Sequence, residues 1–129
     1  MTLSVQITHH FPGFDLDVGF EAPPGVTVLF GPSGSGKTSV MRAVAGLFRP
    51  DRGQISLGGE PLHNRPPHQR RVGFIFQDAR LFPHLTVRQN LTYGTRFAPA
   101  GDGPSEAHII QMLGLAHLLD RRPANLSGG

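Results

Sequence analysis

The sequence predicts an α/β fold in which short strands come first and helices follow. Leu3, Val5 and Ile7 alternate with polar neighbours, a pattern typical of a strand with one buried face. Residues 26–30 form a continuous apolar run, which is typical of a strand buried on both faces of a sheet. Residues 37–47 then carry apolar side chains at helical spacing. Strands followed by an amphipathic helix indicate an α/β domain.

The remaining strands are predicted from short apolar stretches between turns. A second alternating run predicts a strand that a turn at residues 9–13 joins to the first one. Pro50 ends the first helix, because proline cannot continue one. Two later stretches, residues 54–57 and 71–76, are predicted as short strands. The second alternating run consists of Phe14, Leu16, Val18 and Phe20.

The last third of the chain is predicted to be helical. Thr86 and Gln89 match a capping box, in which each side chain bonds the other residue's backbone amide. Ile109, Ile110 and Leu113 mark one face of a further helix. We therefore expect a β-rich part over residues 1–85, which includes a glycine-rich loop at residues 31–38, and a helical part over residues 86–129.

Composition excludes several classes of protein. The 129 residues are enough for one modest domain, and none is cysteine, which rules out disulfides, thiolate zinc sites and a cysteine nucleophile. No apolar run approaches the roughly 18 residues that span a bilayer. The first residues lack the basic-then-apolar pattern of a secretion signal. The expectation is a cytoplasmic protein that meets a membrane only through a partner.

Arginine supplies nearly all of the positive charge. Lysine and arginine total 12, and Lys37 is the single lysine. The arginines are dispersed apart from the pairs Arg70–Arg71 and Arg121–Arg122, which favours a solvated surface over a nucleic-acid patch. The seven histidines show no metal-binding spacing and are interpreted as solvated.

Residues 31–38 match the phosphate-binding pattern G-x-x-x-x-G-K-[ST] at every fixed position. Glycines let the backbone wrap until successive amides point at one phosphate, and the following helix adds a partial positive charge. Lys37 can reach the outer phosphates, and the Thr38 hydroxyl can ligate Mg²⁺. The sequence therefore predicts a nucleoside triphosphate site, for ATP or, as the alternative, GTP. Its residues are Gly31, Pro32, Ser33, Gly34, Ser35, Gly36, Lys37, Thr38 and Ser39.

Two later segments, taken with this loop, resemble the ATP-binding subunit of ABC transporters. Gln77, which ends the predicted strand 71–76, is similar to the Q-loop glutamine of that family. Leu126, Ser127, Gly128 and Gly129 are similar to the opening of its signature motif. The resemblance implies an α/β P-loop NTPase fold, with an N-terminal antiparallel β portion and the start of the helical subdomain. It also implies that residues 1–129 are a partial, truncated domain of this type.

The resemblance assigns roles to these residues. Lys37 and Gln77 would act in catalysis, with Thr38 and Gln77 close to a Mg²⁺ ion that accompanies ATP. The signature would face ATP held by a second ATP-binding subunit, most simply in a homodimer. Residues 78–84 would contact a membrane permease, which places the protein on the inner face of the cell membrane. Leu81 and Phe82 suit that contact, but packing within their own helical subdomain is an equally weighted alternative.

The sequence of residues 76–84 most resembles that of the molybdate-import ATPases. This resemblance implies hydrolysis of ATP to import molybdate or a related inorganic anion. The Walker B aspartate, catalytic glutamate and switch histidine would follow Gly129, so the chain itself is expected to bind without turnover. The alternatives are a non-hydrolysing nucleotide-binding fragment and a DNA-associated ATPase of the same superfamily, although no nucleic-acid partner is expected. Phe11 and Phe14 are candidates for stacking on adenine, with a core role favoured.

Overall fold

The computed structural model describes residues 1–98, 101 and 103–127 of the chain. These residues form two compact units, the first spanning Met1–Ile75 and the second beginning at Phe76. The sequence placed the change to helical character after residue 85. Residues 76–85 form neither strand nor helix, so the local sequence pattern does not mark the residue at which the second unit begins.

The first unit contains an antiparallel sheet of four strands, which are β1 (Leu3–Phe11), β2 (Phe14–Ala22), β3 (Arg52–Leu57) and β4 (Glu60–Pro61). Both alternating runs form the strands predicted for them, and the short stretch at 54–57 belongs to a longer strand. Val5 lies opposite Phe20 of β2 and Ile55 of β3, so the apolar positions of three strands share one face. Across the sheet the strands lie in the order β2-β1-β3-β4.

One helix covers the apolar face of this sheet. Helix α1 (Lys37–Ala45) packs Val40 and Ala43 against the strands, and both side chains are almost completely buried. Val5, Ile7 and Ile55 supply the centre of the same core. Burying aliphatic side chains of this size stabilises the fold by about 1.5–3 kcal/mol each. The core therefore fixes α1, and with it the glycine loop that precedes it, on the sheet.

The predicted strand at residues 26–30 is wrong. The segment belongs to no strand, and among the described residues its backbone has no hydrogen-bond partner. Val26 and Phe30 are 94% and 97% exposed, while Leu29 packs against the core. An apolar run expresses a preference for burial, but a strand also needs a neighbouring strand for its amides and carbonyls. The four-stranded sheet supplies none at this position.

The predicted strand at residues 71–76 is wrong for a similar reason. No strand is assigned there, and Ile75 is 98% exposed. The segment follows Arg71, whose φ of 53° lies in the left-handed region and turns the chain away from an extended path. Both apolar segments thus lie outside the sheet that their composition led us to expect.

The second unit is helical, as predicted. Helix α2 (Val87–Thr92) begins at the Thr86 capping box, where Gln89 N donates to Thr86 Oγ1 over 3.2 Å and Thr86 N donates to Gln89 Oε1 over 2.9 Å. Helix α3 (Glu106–Met112) begins at Ser105, whose hydroxyl accepts from His108 N. Across the described ranges, no helix has the length and apolar character needed to cross a bilayer.

Two isoleucines of the first unit test this division between core and exposed segments. Ile55→Val removes one buried methylene group and is expected to lower the free energy of unfolding by about 0.5–1.5 kcal/mol. Ile75→Val makes the same chemical change on an exposed side chain and is expected to stay within about 0.5 kcal/mol of wild type. Urea unfolding of the three proteins gives both differences. Equal losses for the two variants would show that Ile75 is buried in solution.

Candidate functional site

The glycine loop folds into the tight turn that its pattern predicts. Gly34 and Gly36 have φ values of 80° and 91°, which favour glycine because side chains clash there. Ser35 N donates to Pro32 O over 3.2 Å and closes the turn. The loop is thus held by its own backbone, and its serines and Thr38 lie at the surface or partly exposed.

Lys37 folds its side chain over this loop. Its Nζ donates to Gly31 O over 2.7 Å, to Pro32 O over 2.6 Å and to Ser35 Oγ over 3.2 Å. An ammonium group carries three N–H donors, so the loop satisfies all of them. The positive charge of Lys37 is thereby placed at the turn itself, although no carboxylate pairs with it among the described residues.

Helix α1 differs from α2 and α3 at its N-terminus. Its N-cap residue is Gly36, which has no side chain to accept from the first-turn amides, and the first turn contains no acidic residue. In α2 and α3, Thr86 and Ser105 accept such an amide with a hydroxyl. The open end of α1 presents unpaired N–H groups and the positive end of the helix dipole beside Lys37. This arrangement suits a phosphate group.

An aromatic side chain borders the loop. A Cβ placed on Gly36 would lie 2.8 Å from Leu16 Cδ1 and 3.6 Å from Phe14 Cζ, so the loop packs directly on β2. Phe14 is 40% exposed and stacks on Phe11, with ring centroids 5.0 Å apart. Phe11 packs against the core, as favoured from the sequence, whereas Phe14 lies at the edge of the phosphate loop.

Arg70 closes the opposite end of α1, a role that the sequence analysis missed. Its guanidinium donates to the last carbonyls of the helix, Ala43 O over 2.8 Å and Val44 O over 3.1 Å. It also donates to Arg65 O over 2.7 Å and His63 O over 3.4 Å in the loop before it. The residue is only 7% exposed, and burial lowers the pKa of its guanidinium. The expected solvated pair at residues 70–71 is therefore wrong for its first member.

The other predicted site residues lie in the second unit. Thr38 belongs to the first unit, while Gln77 and Ser127 belong to the second. Gln77 and Ser127 are both exposed. Gly128 and Gly129, the last two predicted signature residues, lie outside the described residues. Within the described ranges, no group of three or more histidine, aspartate or glutamate side chains forms a metal site.

The segment after Gln77 is a loop with exposed apolar side chains. Leu81 is 47% exposed and Phe82 is 38% exposed. The Phe82 ring also packs on Tyr93 of its own unit, with centroids 4.5 Å apart. The exposed surface of Leu81 and Phe82 is compatible with contact to a partner. The contact of Phe82 with Tyr93 is compatible with packing within the subdomain.

A glycine loop that leads into an uncapped helix on a sheet defines the first unit as a P-loop domain. Residues 16–129 match the family model described as ABC transporter. The chain therefore belongs to the ABC transporter family.

Curated relatives narrow the similarity within this family. The chain is 55% identical to a protein of Granulibacter bethesdensis and 52% identical to one of Rhizobium johnstonii, over 98% and 100% of its length. Both are named "Molybdenum import ATP-binding protein ModC". The chain spans only 36% and 38% of those proteins.

Solved structures agree with the fold. A nucleotide-free ATP-binding cassette from an ABC transporter matches with a TM-score of 0.76 and 26% identity, covering 99% of this chain and 60% of that one. The cassette MJ1267 of an ABC transporter, in its ADP conformation, matches with a TM-score of 0.74 and 25% identity, covering 99% and 60%. These likenesses confirm the predicted fold class, an α/β P-loop domain of the ABC type.

The buried guanidinium of Arg70 leads to a stability prediction. Arg70→Met keeps an extended side chain but removes the guanidinium donors to Ala43 O and Val44 O, of which Ala43 O keeps Gly46 N as a donor. It is expected to lower the free energy of unfolding by about 1–3 kcal/mol. Arg71→Met, a matched change at the exposed neighbour, is expected to cost no more than about 0.5 kcal/mol. Urea unfolding distinguishes the two variants. If both behave alike, the bonds of Arg70 to α1 contribute nothing measurable.

Proposed function

We propose that residues 31–39 bind the phosphates of ATP together with Mg²⁺. The observation that carries this proposal is the open N-terminus of α1, with Lys37 as its first residue and no side chain capping its amides. By contrast, the α-helices α2 and α3 are capped by the hydroxyl groups of Thr86 and Ser105. A bound phosphate would supply the missing acceptors.

Lys37 would change partners when the nucleotide binds. In the described state its three donors bond Gly31 O, Pro32 O and Ser35 Oγ. Phosphate oxygens are charged acceptors and form stronger bonds with an ammonium than neutral carbonyls do. The loop oxygens already hold the ammonium at the turn, so nucleotide binding would replace bonds that are made there.

The residues at the start of α1 also fit a magnesium ion. The Thr38 hydroxyl is a hard oxygen ligand, and Mg²⁺ is commonly held by one or two protein oxygens together with substrate phosphates. Thr38 would hold the ion, and Gln77 is proposed as a second residue close to it. The ion would neutralise charge on the phosphates when bound.

Hydrolysis is proposed for a protein of the relatives' full length rather than for these residues alone. The curated relatives are named for molybdenum import and ATP binding, and this chain spans 36–38% of their length. We propose that such a protein uses ATP to import molybdate or a related anion, and that residues 1–129 bind nucleotide without turnover. A DNA-associated role is not favoured, because Arg70 of the arginine pair is buried.

Two partners follow from this proposal. A second ATP-binding subunit would place its nucleotide against the signature, to which Ser127 contributes an exposed hydroxyl. A permease would bind residues 78–84 and hold the protein on the inner face of the membrane. Leu81 and Phe82 support this second contact because they expose apolar surface on one loop.

Nucleotide binding is tested by Lys37→Ala. Loss of the ammonium is expected to weaken Mg-ATP binding about tenfold to hundredfold, which corresponds to about 1.5–3 kcal/mol for hydrogen bonds to a charged group. Arg42→Ala removes the same charge from an exposed position on the same helix and is expected to leave the affinity within about twofold, since charges exposed to solvent interact weakly. Calorimetric titration with Mg-ATP measures both. Equal affinities for the two variants would contradict a phosphate-binding role of Lys37.

Permease binding is tested by Phe82→Asp. A charge at the centre of an apolar contact is expected to weaken binding by tenfold or more. Phe97→Asp is the control, because Phe97 is 72% exposed in the same unit but lies outside residues 78–84. The measurement is binding of the chain to the permease subunit of a molybdate importer held in lipid nanodiscs. An affinity unaffected by Phe82→Asp, or lowered as much by Phe97→Asp, would argue against docking through this loop.

A further inference from the structure

One side chain of α2 holds the backbone of the exposed apolar loop. Asn90 Oδ1 accepts from Phe82 N over 2.8 Å, and its Nδ2 donates to Phe82 O over 3.2 Å. The same Nδ2 lies 3.3 Å from Leu85 O and 3.0 Å from Thr86 O. Asn90 therefore bonds both ends of the segment 82–86 and uses its acceptor and both donors on that segment.

The loop has little else that fixes its backbone. Leu85 N donates to Phe82 O over 3.2 Å, which closes one turn. The Phe82 ring packs on Tyr93, one turn beyond Asn90 in the chain, so the ring and the backbone of Phe82 are both held from the α2 side. A loop fixed in this way loses less conformational entropy when a partner binds its exposed apolar side chains.

The first backbone amides of α2 donate to residues 119–121, in the segment that precedes Ser127. Val87 N donates to Arg121 O over 2.8 Å, and Arg88 N donates to Leu119 O over 2.9 Å. Val87 and Leu119 are both only 8% exposed, so these bonds are accompanied by apolar packing. The first-turn amides that a helix usually leaves to solvent are here bonded to a distant part of the chain.

We propose that Asn90 is the positioning residue of the loop at residues 81–85, and that α2 joins this loop to residues 119–121 as one rigid body. The inference rests on the proposed docking of that loop to a permease. Asn90 does not itself contact the partner in this arrangement. It acts by keeping Leu81 and Phe82 in the orientation that the partner's apolar surface binds.

Two substitutions of Asn90 separate hydrogen bonding from side-chain size. Asn90→Ala removes the acceptor and both donors. Asn90→Asp keeps the size and the acceptor but places a carboxylate oxygen against three carbonyl oxygens. Thr92→Ala is the matched control, since Thr92 Oγ1 donates to Arg88 O within the same helix. Amide hydrogen exchange of Phe82 and Leu85 in the 129-residue chain reports the order of the loop.

In Asn90→Ala, exchange of both amides is expected to accelerate tenfold or more, and binding to the nanodisc-held permease is expected to weaken about tenfold. Asn90→Asp is expected to lose binding to a similar extent, and Thr92→Ala is expected to match wild type in both measurements. Unchanged exchange in Asn90→Ala, or faster exchange with unchanged binding, would overturn the proposal. Wild-type behaviour of Asn90→Asp would also overturn it, since size alone would then suffice.

The result for wild type separates this inference from the proposed function. If wild-type chain does not bind the permease, docking through residues 78–84 fails, and the exchange measurements alone decide whether Asn90 fixes the loop. If wild type binds and Phe82→Asp does not, the docking loop is established. The Asn90 variants then decide between a positioned loop and one that orders only on contact with its partner.

Discussion

The two ends of α1 are treated in opposite ways, and the first unit depends on this asymmetry. At the C-terminal end, the buried guanidinium of Arg70 bonds the last carbonyls and places a positive charge at the negative end of the helix dipole. At the N-terminal end, Gly36 leaves the amides free. An anion at the open end therefore meets a helix whose other end is already fixed, so binding need not order the helix.

Local patterns were sufficient wherever the structure is made by neighbours in the chain. The alternation of Leu3, Val5 and Ile7 forms β1, which pairs with β2 across the turn that follows it, and Thr86 with Gln89 forms the capping box. The prediction of a strand at residues 26–30 failed because a strand also needs a partner strand, which can lie far away in the sequence. Their apolar composition reported the need for burial correctly, but it carried no information on which part of the chain would provide it.

The candidate site shows the same limit at the level of side chains. The glycine pattern identified Lys37 because phosphate binding requires a fixed local spacing. Arg70 and Asn90 carry no such signal, since each bonds backbone carbonyls, and every residue offers the same carbonyl. Arg70 reaches residues 26 and 27 positions earlier in the chain. The only hint for Asn90 was its place one turn after an N-cap, from which a short amide can reach back to the preceding loop.

The contrast between α1 and α2 suggests how one chain separates binding from support. Both helices begin with amides that lack partners inside the helix. In α2 the chain itself supplies the acceptors, which are Thr86 Oγ1 and the carbonyls of Leu119 and Arg121. The amides at that end are therefore already bonded within the protein. In α1 no side chain of the described residues caps the first-turn amides, because the N-cap residue is Gly36, a glycine with positive φ. A helix end that the fold leaves unsatisfied, beside a lysine held only by loop oxygens, is where an external anion gains most from binding.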